Sequence, residues 1–394
     1  MRNIRKHDLV MTPAMRRPLR SLSALVLLSV SLGSHAERAL TRKESLGKLL
    51  FEDTRLSTPE GQSCSGCHSS TRDFTDPDAE RSTSEGAVSG RFVPRNTPTI
   101  LYGSPSPKLH WDEAGSTWVG GQFWDGREDS QAAQALKPFL GHLEMNNEDL
   151  SVIVGKIQKG PYAKEFIRVY GARIFDRPAK AYGKVGDAIQ AFERTARFAP
   201  FNSRYDRYLE GQAVLTPQEN RGREVFERED KGNCAACHPN KPSPDGKQRP
   251  LFTDFSYDNI GVPRNVENRF YALPSPLNPE GWSFIDKGLG ATVQDESQDG
   301  KFKVPTLRNI EKTGPYMHNG YFKTLRAVIE FYNTRDLLPE CANAWATEQE
   351  ARKMKCWPQA EMERNMNHDE LGHLGLSPGE IDDLLAFLHT LNDD

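Results

Sequence analysis

The sequence predicts a mainly α-helical protein built from two related halves. The order of a short helix, a Cys-x-x-Cys-His pentapeptide, a loop-rich stretch and a closing amphipathic helix occurs twice. Few stretches show the alternating pattern that is typical of strands. With 394 residues, of which 37% are hydrophobic and 27% charged, the chain is long enough for two or three globular domains. We expect the boundary between the halves near residue 200.

Residues 1–36 read as a signal peptide. A basic stretch that ends at Arg20 precedes the short apolar run "SLSALVLLSVSLGSHA", in which Ser34 and Ala36 are the small residues of a cleavage site. The run is too short to span a bilayer stably, and a hydrophobic N-terminal helix is the alternative interpretation. We therefore expect an exported, periplasmic protein with no membrane segment after cleavage. The formal net charge of −3 and the lack of a basic patch argue against a nucleic acid partner.

The first half is predicted to open with a helix over 44–53, shortly before its pentapeptide. A loop-rich stretch follows over 69–123, and helices are predicted near 129–140 and 147–158. The half closes on the amphipathic sequence "AIQAFERT" at 188–195.

The second half repeats this order. Thr216 to Glu219 form a capping box with Pro at the first helical position, which predicts a helix that stops just before Cys234. A further helix is predicted near 323–334. The closing helix "DLLAFLHT", at 383–390, is opened by Ser377 in the same manner as the helix at Thr216.

The two pentapeptides predict two covalently attached c-type haems. In "CSGCH" (64–68) and "CAACH" (234–238) the two thiols are spaced to form thioethers with a haem, and the adjacent His can bind the iron. A zinc site would need its four ligands in one place, whereas these motifs lie in separate halves. The predicted attachment residues are Cys64, Cys67 and His68 for the first haem and Cys234, Cys237 and His238 for the second.

The remaining cysteines, Cys341 and Cys356, are 15 residues apart in a chain that we expect to be exported. A disulfide is therefore the favoured interpretation, and two buried thiols are the alternative.

The second axial position of each haem decides between electron transfer and chemistry, because only an open iron binds peroxide. No His or Met occurs from residue 69 to residue 95, so no local side chain closes the first haem. For the second haem the spacing does not choose among the candidate ligands Met317, His318, Tyr332, Met354, Met362, Met366, His368 and His373.

From about residue 44 onward the chain resembles the bacterial di-haem cytochrome c peroxidase and MauG superfamily. The resemblance rests on "LGKLLFEDTRLS", "RNTPTIL" and "GGQFWDGREDSQAAQALKPF" in the first half. In the second half it rests on "LTPQENRGREVF", "KVPTLRNIEKTGPYMHNGYFKTL" and "FYNTRD". It implies two cytochrome c-like domains, 37–200 with a peroxide-binding haem and 201–394 with a low-spin haem, joined around an interdomain calcium site.

The resemblance assigns roles to individual side chains. Trp124 matches the Trp that lies between the haems and shares oxidising equivalents. Gln134, Pro138 and Glu144 match the pocket over the first haem, where the Glu moves the proton during O–O cleavage. The alternative interpretations are a core aromatic for Trp124, a helix stop for Pro138 and a solvated charge for Glu144. Asn96, Thr313 and Pro315 match the ligands of the family's calcium ion.

Two departures favour the MauG-like branch. The peroxidase branch has a His after the first pentapeptide, which is missing here, and a Met where this chain has Tyr332. Leu325, Val328, Ile329 and Tyr332 follow helical spacing, which points Tyr332 inward. A phenolate ligand disfavours Fe(II), whereas a thioether favours it. The alternative is a core Tyr bonded elsewhere, with Met317 or His318 as the ligand.

We therefore expect a peroxidase-type oxidoreductase that reacts with hydrogen peroxide at the first haem. It would share the oxidation with the second haem through Trp124 and oxidise a partner protein, as MauG-like proteins do. One alternative is a cytochrome c peroxidase that reduces hydrogen peroxide with a small redox protein as electron donor. The other is a non-catalytic di-haem electron carrier, in which both irons would have two protein ligands.

Overall fold

The computed structural model describes residues 38–243 and 245–394, so the predicted signal peptide at 1–36 lies outside the described residues. The described chain is mainly helical, as predicted. Its first helices are α1 (Arg42–Glu52), α2 (Cys64–Cys67), α3 (Gln131–Gln134), α4 (Lys137–Leu140), α5 (Leu150–Lys159), α6 (Ala163–Tyr170) and α7 (Pro178–Glu193). The later ones are α8 (Arg204–Leu209), α9 (Pro217–Glu227), α10 (Leu289–Val293), α11 (Leu325–Thr334), α12 (Glu348–Met354) and α13 (Pro378–His389).

Short strands form two antiparallel pairs within the described residues. The strands are β1 (His110–Asp112), β2 (Thr117–Val119), β3 (Tyr257–Asp258) and β4 (Phe302–Lys303). β1 pairs with β2 so that Trp111 is opposite Trp118, and β3 pairs with β4 so that Tyr257 is opposite Lys303. Both pairs lie in stretches that carry no alternating pattern in the sequence.

The helix starts follow the capping signals in the sequence. The Thr216 side chain accepts from the Glu219 backbone in a complete capping box, and the Ser377 side chain does the same for α13. The helix predicted over 129–140 is instead two separate four-residue helices, α3 and α4. The closing helix of the first half, α7, begins at Pro178, ten residues before the predicted 188–195 segment.

The two halves use the same helix crossing. α1 packs against α7, and α9 packs against α13. A Cβ atom at Gly47 of α1 would lie 2.0 Å from the Ala188 carbonyl oxygen, and one at Gly222 of α9 would lie 1.9 Å from the Asp383 carbonyl oxygen. Only glycine permits this approach of two helices, so the repeat seen in the sequence is also a repeat in packing.

Two hydrophobic cores lie within the compact unit Ala39–Asp394. One contains residues from Leu46 to Phe198, and the other contains residues from Tyr205 to Leu391. The predicted boundary near residue 200 lies between the two cores. The division into domains 37–200 and 201–394 stays a prediction.

The second core includes a disulfide between Cys341 and Cys356, with an S–S distance of 2.02 Å, as the sequence predicts. The disulfide closes a segment that contains α12. Of the helices in the described residues, none combines the length and the apolar character that crossing a membrane requires.

Candidate active site

A cavity of about 940 Å³ is lined by both pentapeptides. The six predicted haem-attachment residues therefore face one continuous space between the two cores. They are Cys64, Cys67, His68, Cys234, Cys237 and His238. In the described residues, no cluster of three or more His, Cys, Asp and Glu side chains is placed to hold a metal ion directly.

Both histidines are held for iron binding by the same contact. His68 Nδ1 lies 2.9 Å from the Phe74 carbonyl oxygen, and His238 Nδ1 lies 2.8 Å from the Phe252 carbonyl oxygen. A carbonyl can only accept, so Nδ1 carries the proton and Nε2 keeps its lone pair. Burial lowers the pKa of both imidazoles, which keeps them neutral.

The thiols beside these histidines are also unpaired in the structure. Burial raises the pKa of Cys67, Cys234 and Cys237 to about 12, so they are neutral thiols rather than reactive thiolates. Two thiols, a neutral imidazole and an apolar wall, present twice, fit two c-type haems.

The residues predicted over the first haem come together on the cavity wall. Gln134 from α3, Pro138 from α4 and Glu144 from the following turn all line the cavity. The Glu144 backbone N–H donates to the Gly141 carbonyl oxygen at 2.9 Å, which fixes the turn. A Cβ at Gly141 would lie 2.2 Å from Glu144 Oε2, so the carboxylate packs directly against this glycine.

Glu144 has the electrostatics of a proton-transfer group. Burial raises the pKa of its carboxyl, and the positive charge of Arg127 opposes this shift. In the described part of the chain no side chain or backbone N–H donates to this carboxylate. It is therefore available to a ligand in the cavity.

Tyr332, on α11, lines the cavity near the second pentapeptide. Burial raises the pKa of its phenol, and the charge of the Asp258 carboxylate raises it further. The Tyr332 hydroxyl has no hydrogen-bond partner among the described residues. The alternative, a core Tyr whose hydroxyl is bonded to another protein group, is therefore not supported by the described residues.

The rival ligands for the second haem differ in position. Met317, His318 and Met362 line the cavity, whereas Met366 does not. Met354 is 51% exposed. The other two, His368 and His373, have exposed side chains outside the cavity.

Trp124 links the two halves of the cavity wall. Its indole N–H donates to the Asn96 carbonyl oxygen at 2.9 Å, and its own carbonyl accepts from the Lys303 backbone at 2.8 Å. Asn96 Nδ2 lies 2.6 Å from the Pro315 carbonyl oxygen, and Thr313 lines the same cavity. Two of the three predicted calcium-binding residues, Asn96 and Pro315, are thus in contact, and Asn96 also contacts Trp124.

Sequence reasoning missed two ionisable side chains on this wall. Burial raises the pKa of Glu193 to about 8, and within the described part of the chain its carboxylate accepts only a 3.5 Å hydrogen bond from Gln131. Burial lowers the pKa of Lys303 to about 8, while its ammonium donates to the Gly121 carbonyl oxygen at 2.6 Å. Glu193 had a signal in the sequence, because it continues the apolar face of Ile189 in α7.

Comparisons with known proteins agree with this geometry. A family model described as "Di-haem cytochrome c peroxidase" matches residues 41–214. The methylamine utilization protein MauG of Paracoccus denitrificans is 37% identical, over 95% of each chain. The cytochrome-c peroxidase IdrP2 of Denitromonas iodatirespirans is 31% identical, over 73% of this chain and 72% of its own. The crystal structure of the diheme peroxidase BthA from Burkholderia thailandensis superposes with a TM-score of 0.75 at 33% identity, covering 90% of this chain and 87% of that one.

Proposed function

Since the chain belongs to the di-haem cytochrome c peroxidase and MauG family, we propose that it oxidises a partner protein with hydrogen peroxide. It is a di-haem oxidoreductase of the peroxidase type. One observation carries the finer proposal: a single cavity joins both pentapeptides, and the Glu144 carboxyl and Tyr332 hydroxyl on its wall have no hydrogen-bond partner among residues 38–243 and 245–394.

The two haem c groups supply iron that binds peroxide and holds its oxidising equivalents. On the first side, Glu144 accepts the proton from one peroxide oxygen and delivers it to the other. Gln134 offers amide groups that orient the bound peroxide, and Pro138 contributes an apolar surface without an N–H donor. The raised pKa of Glu144 suits this role, because the group must both take and return a proton near neutral pH.

On the second side, Tyr332 and His238 would hold the haem iron between them, since both line the cavity. A buried phenol releases its proton to solvent only if a nearby cation stabilises the phenolate, and ferric iron would be that cation. The Arg335 guanidinium, at the residue that follows α11, adds positive charge that lowers the pKa of the phenol. Tyr332 thereby stabilises the oxidised forms of the second haem.

Trp124 connects the two sides and lets them share the oxidation. Its indole lies on the wall of the shared cavity and donates to Asn96 of the first half, while its backbone carbonyl accepts from Lys303 of the second half. A calcium ion bound by Asn96, Thr313 and Pro315 would hold this junction rigid, since hard cations take carbonyl and amide oxygens.

The location and partners follow from the proposed chemistry. We place the mature protein in the periplasm, because c-type attachment and the signal sequence agree on export. Its partners are hydrogen peroxide and a protein that is either the substrate or the electron donor. The MauG-like departures in the sequence favour a protein substrate, and the cytochrome-c peroxidases among the relatives favour a protein electron donor.

Cyanide titration of the fully oxidised protein, followed by EPR, tests the assignment of one open and one closed haem. We expect one haem to bind cyanide without prior reduction and both haems to bind it in the Tyr332→Phe variant. Binding to neither haem in the parent protein would instead indicate a non-catalytic electron carrier. One bound cyanide in the variant would return the ligand role to Met317 or His318.

A further inference from the structure

Two exposed tryptophans meet on the surface of the second half. Trp282 is 45% exposed and Trp345 is 50% exposed, and their rings pack edge to face with centroids 5.6 Å apart. Together with Val266 they line a cleft of about 350 Å³. Large aromatic side chains that remain exposed as a cluster are typical of interaction sites.

The disulfide segment positions one member of this pair. Trp345 lies between Cys341 and Cys356, and both cysteines are buried in the second core. Its neighbour Ala346 is also buried, so the segment is anchored from below while the Trp345 ring projects outward. The disulfide thus fixes the segment from which the Trp345 indole is exposed to solvent.

From this pair, aromatic contacts lead inward to the cavity. Trp282 stacks on Tyr271 with centroids 5.4 Å apart and rings inclined by 18°. Tyr271 is buried, and its ring centroid lies 6.4 Å from that of Phe284, which lines the cavity. Each step from solvent to the haem cavity is therefore a direct ring contact.

A proton acceptor accompanies the innermost oxidisable ring. The Tyr271 hydroxyl donates to Glu361 Oε1 at 2.8 Å, and Glu361 lines the cavity. Arg264 Nε donates to the same oxygen at 3.2 Å, and its guanidinium lies 5.3 Å from the Tyr271 ring centroid. The other carboxylate oxygen, Oε2, lies 3.8 Å from the buried and otherwise unpartnered His318 Nε2.

This arrangement matches what tyrosine needs in order to give up an electron. Burial raises the pKa of the Tyr271 phenol, and the charge of Glu361 raises it further, so the ring is protonated before oxidation. An oxidised phenol is a strong acid and must release its proton. Glu361 is within hydrogen-bond distance to accept it.

We propose that Trp345, Trp282 and Tyr271 form a one-electron relay between the haem cavity and a partner protein, with Glu361 as the proton acceptor of Tyr271. The oxidisable group of the partner is a phenol or indole ring that packs on the Trp282–Trp345 cleft. The half-exposed walls suit a ring presented from outside better than an enclosed small molecule. The relay rests on the proposed function, because peroxide must first oxidise the haem site.

The relay balances in electrons and protons. Tyr271 gives one electron toward the cavity and its phenolic proton to Glu361. Trp282 then reduces the Tyr271 radical, which takes the proton back, and Trp345 reduces Trp282. The ring of the partner finally gives one electron to Trp345 and one proton to water. Two passages supply the two electrons that reduce one hydrogen peroxide to water.

Radical trapping tests the relay without any partner. The holoprotein is mixed with hydrogen peroxide and a nitrone spin trap, and adducts are located by mass spectrometry. We expect adducts on Trp282 and Trp345 in the parent protein and their loss in Tyr271→Phe, which keeps the ring but cannot be oxidised. Trp111, which is 40% exposed and packs on another Trp, is the internal control for non-specific oxidation.

The outcomes separate the relay from the function on which it rests. If peroxide changes the haem spectrum but Trp111 is labelled as heavily as Trp282 and Trp345, the relay is wrong. Unchanged adducts in Tyr271→Phe would also overturn it. If peroxide leaves the haem spectrum unchanged, the proposed function fails and the relay fails with it.

A small-molecule electron donor tests whether an aromatic ring docks on the Trp282–Trp345 cleft. Peroxide-driven oxidation of N-acetyltyrosinamide, a free tyrosine side chain with a blocked backbone, should be lost in Trp345→Phe and in Tyr271→Phe but kept in Trp111→Phe. Equal rates in all four proteins would place donor oxidation elsewhere on the molecule.

Discussion

Replacing Glu144 with Gln should slow the reaction with hydrogen peroxide without weakening the fold. The carboxylate receives no hydrogen bond within the described residues, so the amide leaves no buried partner unpaired and keeps nearly the same volume. What is lost is proton transfer, which typically contributes roughly 10²–10⁴-fold to a rate. We expect the second-order rate constant for peroxide to fall by about this factor.

The pH profile gives this prediction a direction. Only the deprotonated carboxylate can take the proton of peroxide, and burial raises the pKa of Glu144. The rate should therefore rise with pH through a limb that lies above the ordinary carboxyl range, and the Gln variant should lack this limb. Replacing Arg127 with Gln removes the charge that opposes the shift, so the limb should move to higher pH. Because Arg127 is partly exposed, the move should be less than about one pH unit and smaller at high salt.

Stopped-flow absorption of the haems after mixing with peroxide, from acid to alkaline pH, measures both effects. Glu148→Gln is the matched control, since Glu148 is an exposed carboxylate four residues after Glu144. A Glu144→Gln rate within a factor of about three of the parent rate, with the pH limb intact, would refute the assignment of Glu144 as the proton-transfer group.

Three further predictions concern stability and the second haem. Glu193 has a folded-state pKa of about 8, raised by burial, so its contribution to stability is present at acid pH and is lost as pH rises toward 8. Glu193→Gln should therefore stabilise the protein by on the order of a few kcal/mol at alkaline pH and little at pH 5, as read from thermal unfolding; a pH-independent difference would contradict this. Tyr332→Met should raise the reduction potential of the second haem by a sizeable part of the ~0.8 V span that axial ligands control; an unchanged potential in spectroelectrochemistry would remove Tyr332 as ligand. Asp206→Ala should cost about 3–5 kcal/mol, because it strands the fully buried Arg308 charge that Asp206 binds at 2.8 and 2.9 Å. Asp383→Ala removes a bidentate pair with the exposed Arg221, at 2.7 and 2.8 Å, and should cost much less than Asp206→Ala in the same unfolding assay.

Features encoded within a few consecutive residues were predictable from the sequence. The capping box at Thr216 and the helical spacing up to Tyr332 each lie within one or two helical turns, so no tertiary information was needed. The haem-attachment pentapeptides are local for the same reason. The repeat could be recognised because the two Cys-x-x-Cys-His pentapeptides, which occur once in each half, rarely arise by chance.

Features that depend on the path of long loops were not predictable. Trp282 and Trp345 are 63 positions apart, and only the folded loops bring their rings to 5.6 Å. α3 and α4 were expected as one helix because the apolar spacing continues through their junction, whereas Pro138 follows there at the second position of α4. The sequence alone also could not tell whether the Tyr332 hydroxyl is hydrogen-bonded, because the helical spacing of apolar residues is the same in either case.

The central claim is that one haem is open to peroxide while the other, closed by Tyr332, shares the oxidation. One equivalent of hydrogen peroxide should be added to the fully oxidised protein without a reductant, and EPR and visible to near-infrared absorption should be followed. If both haems share the oxidation, both ferric EPR signals should disappear and a new, long-lived near-infrared band should form. A protein that does not react until one haem has been reduced would instead function as a reductively activated peroxidase.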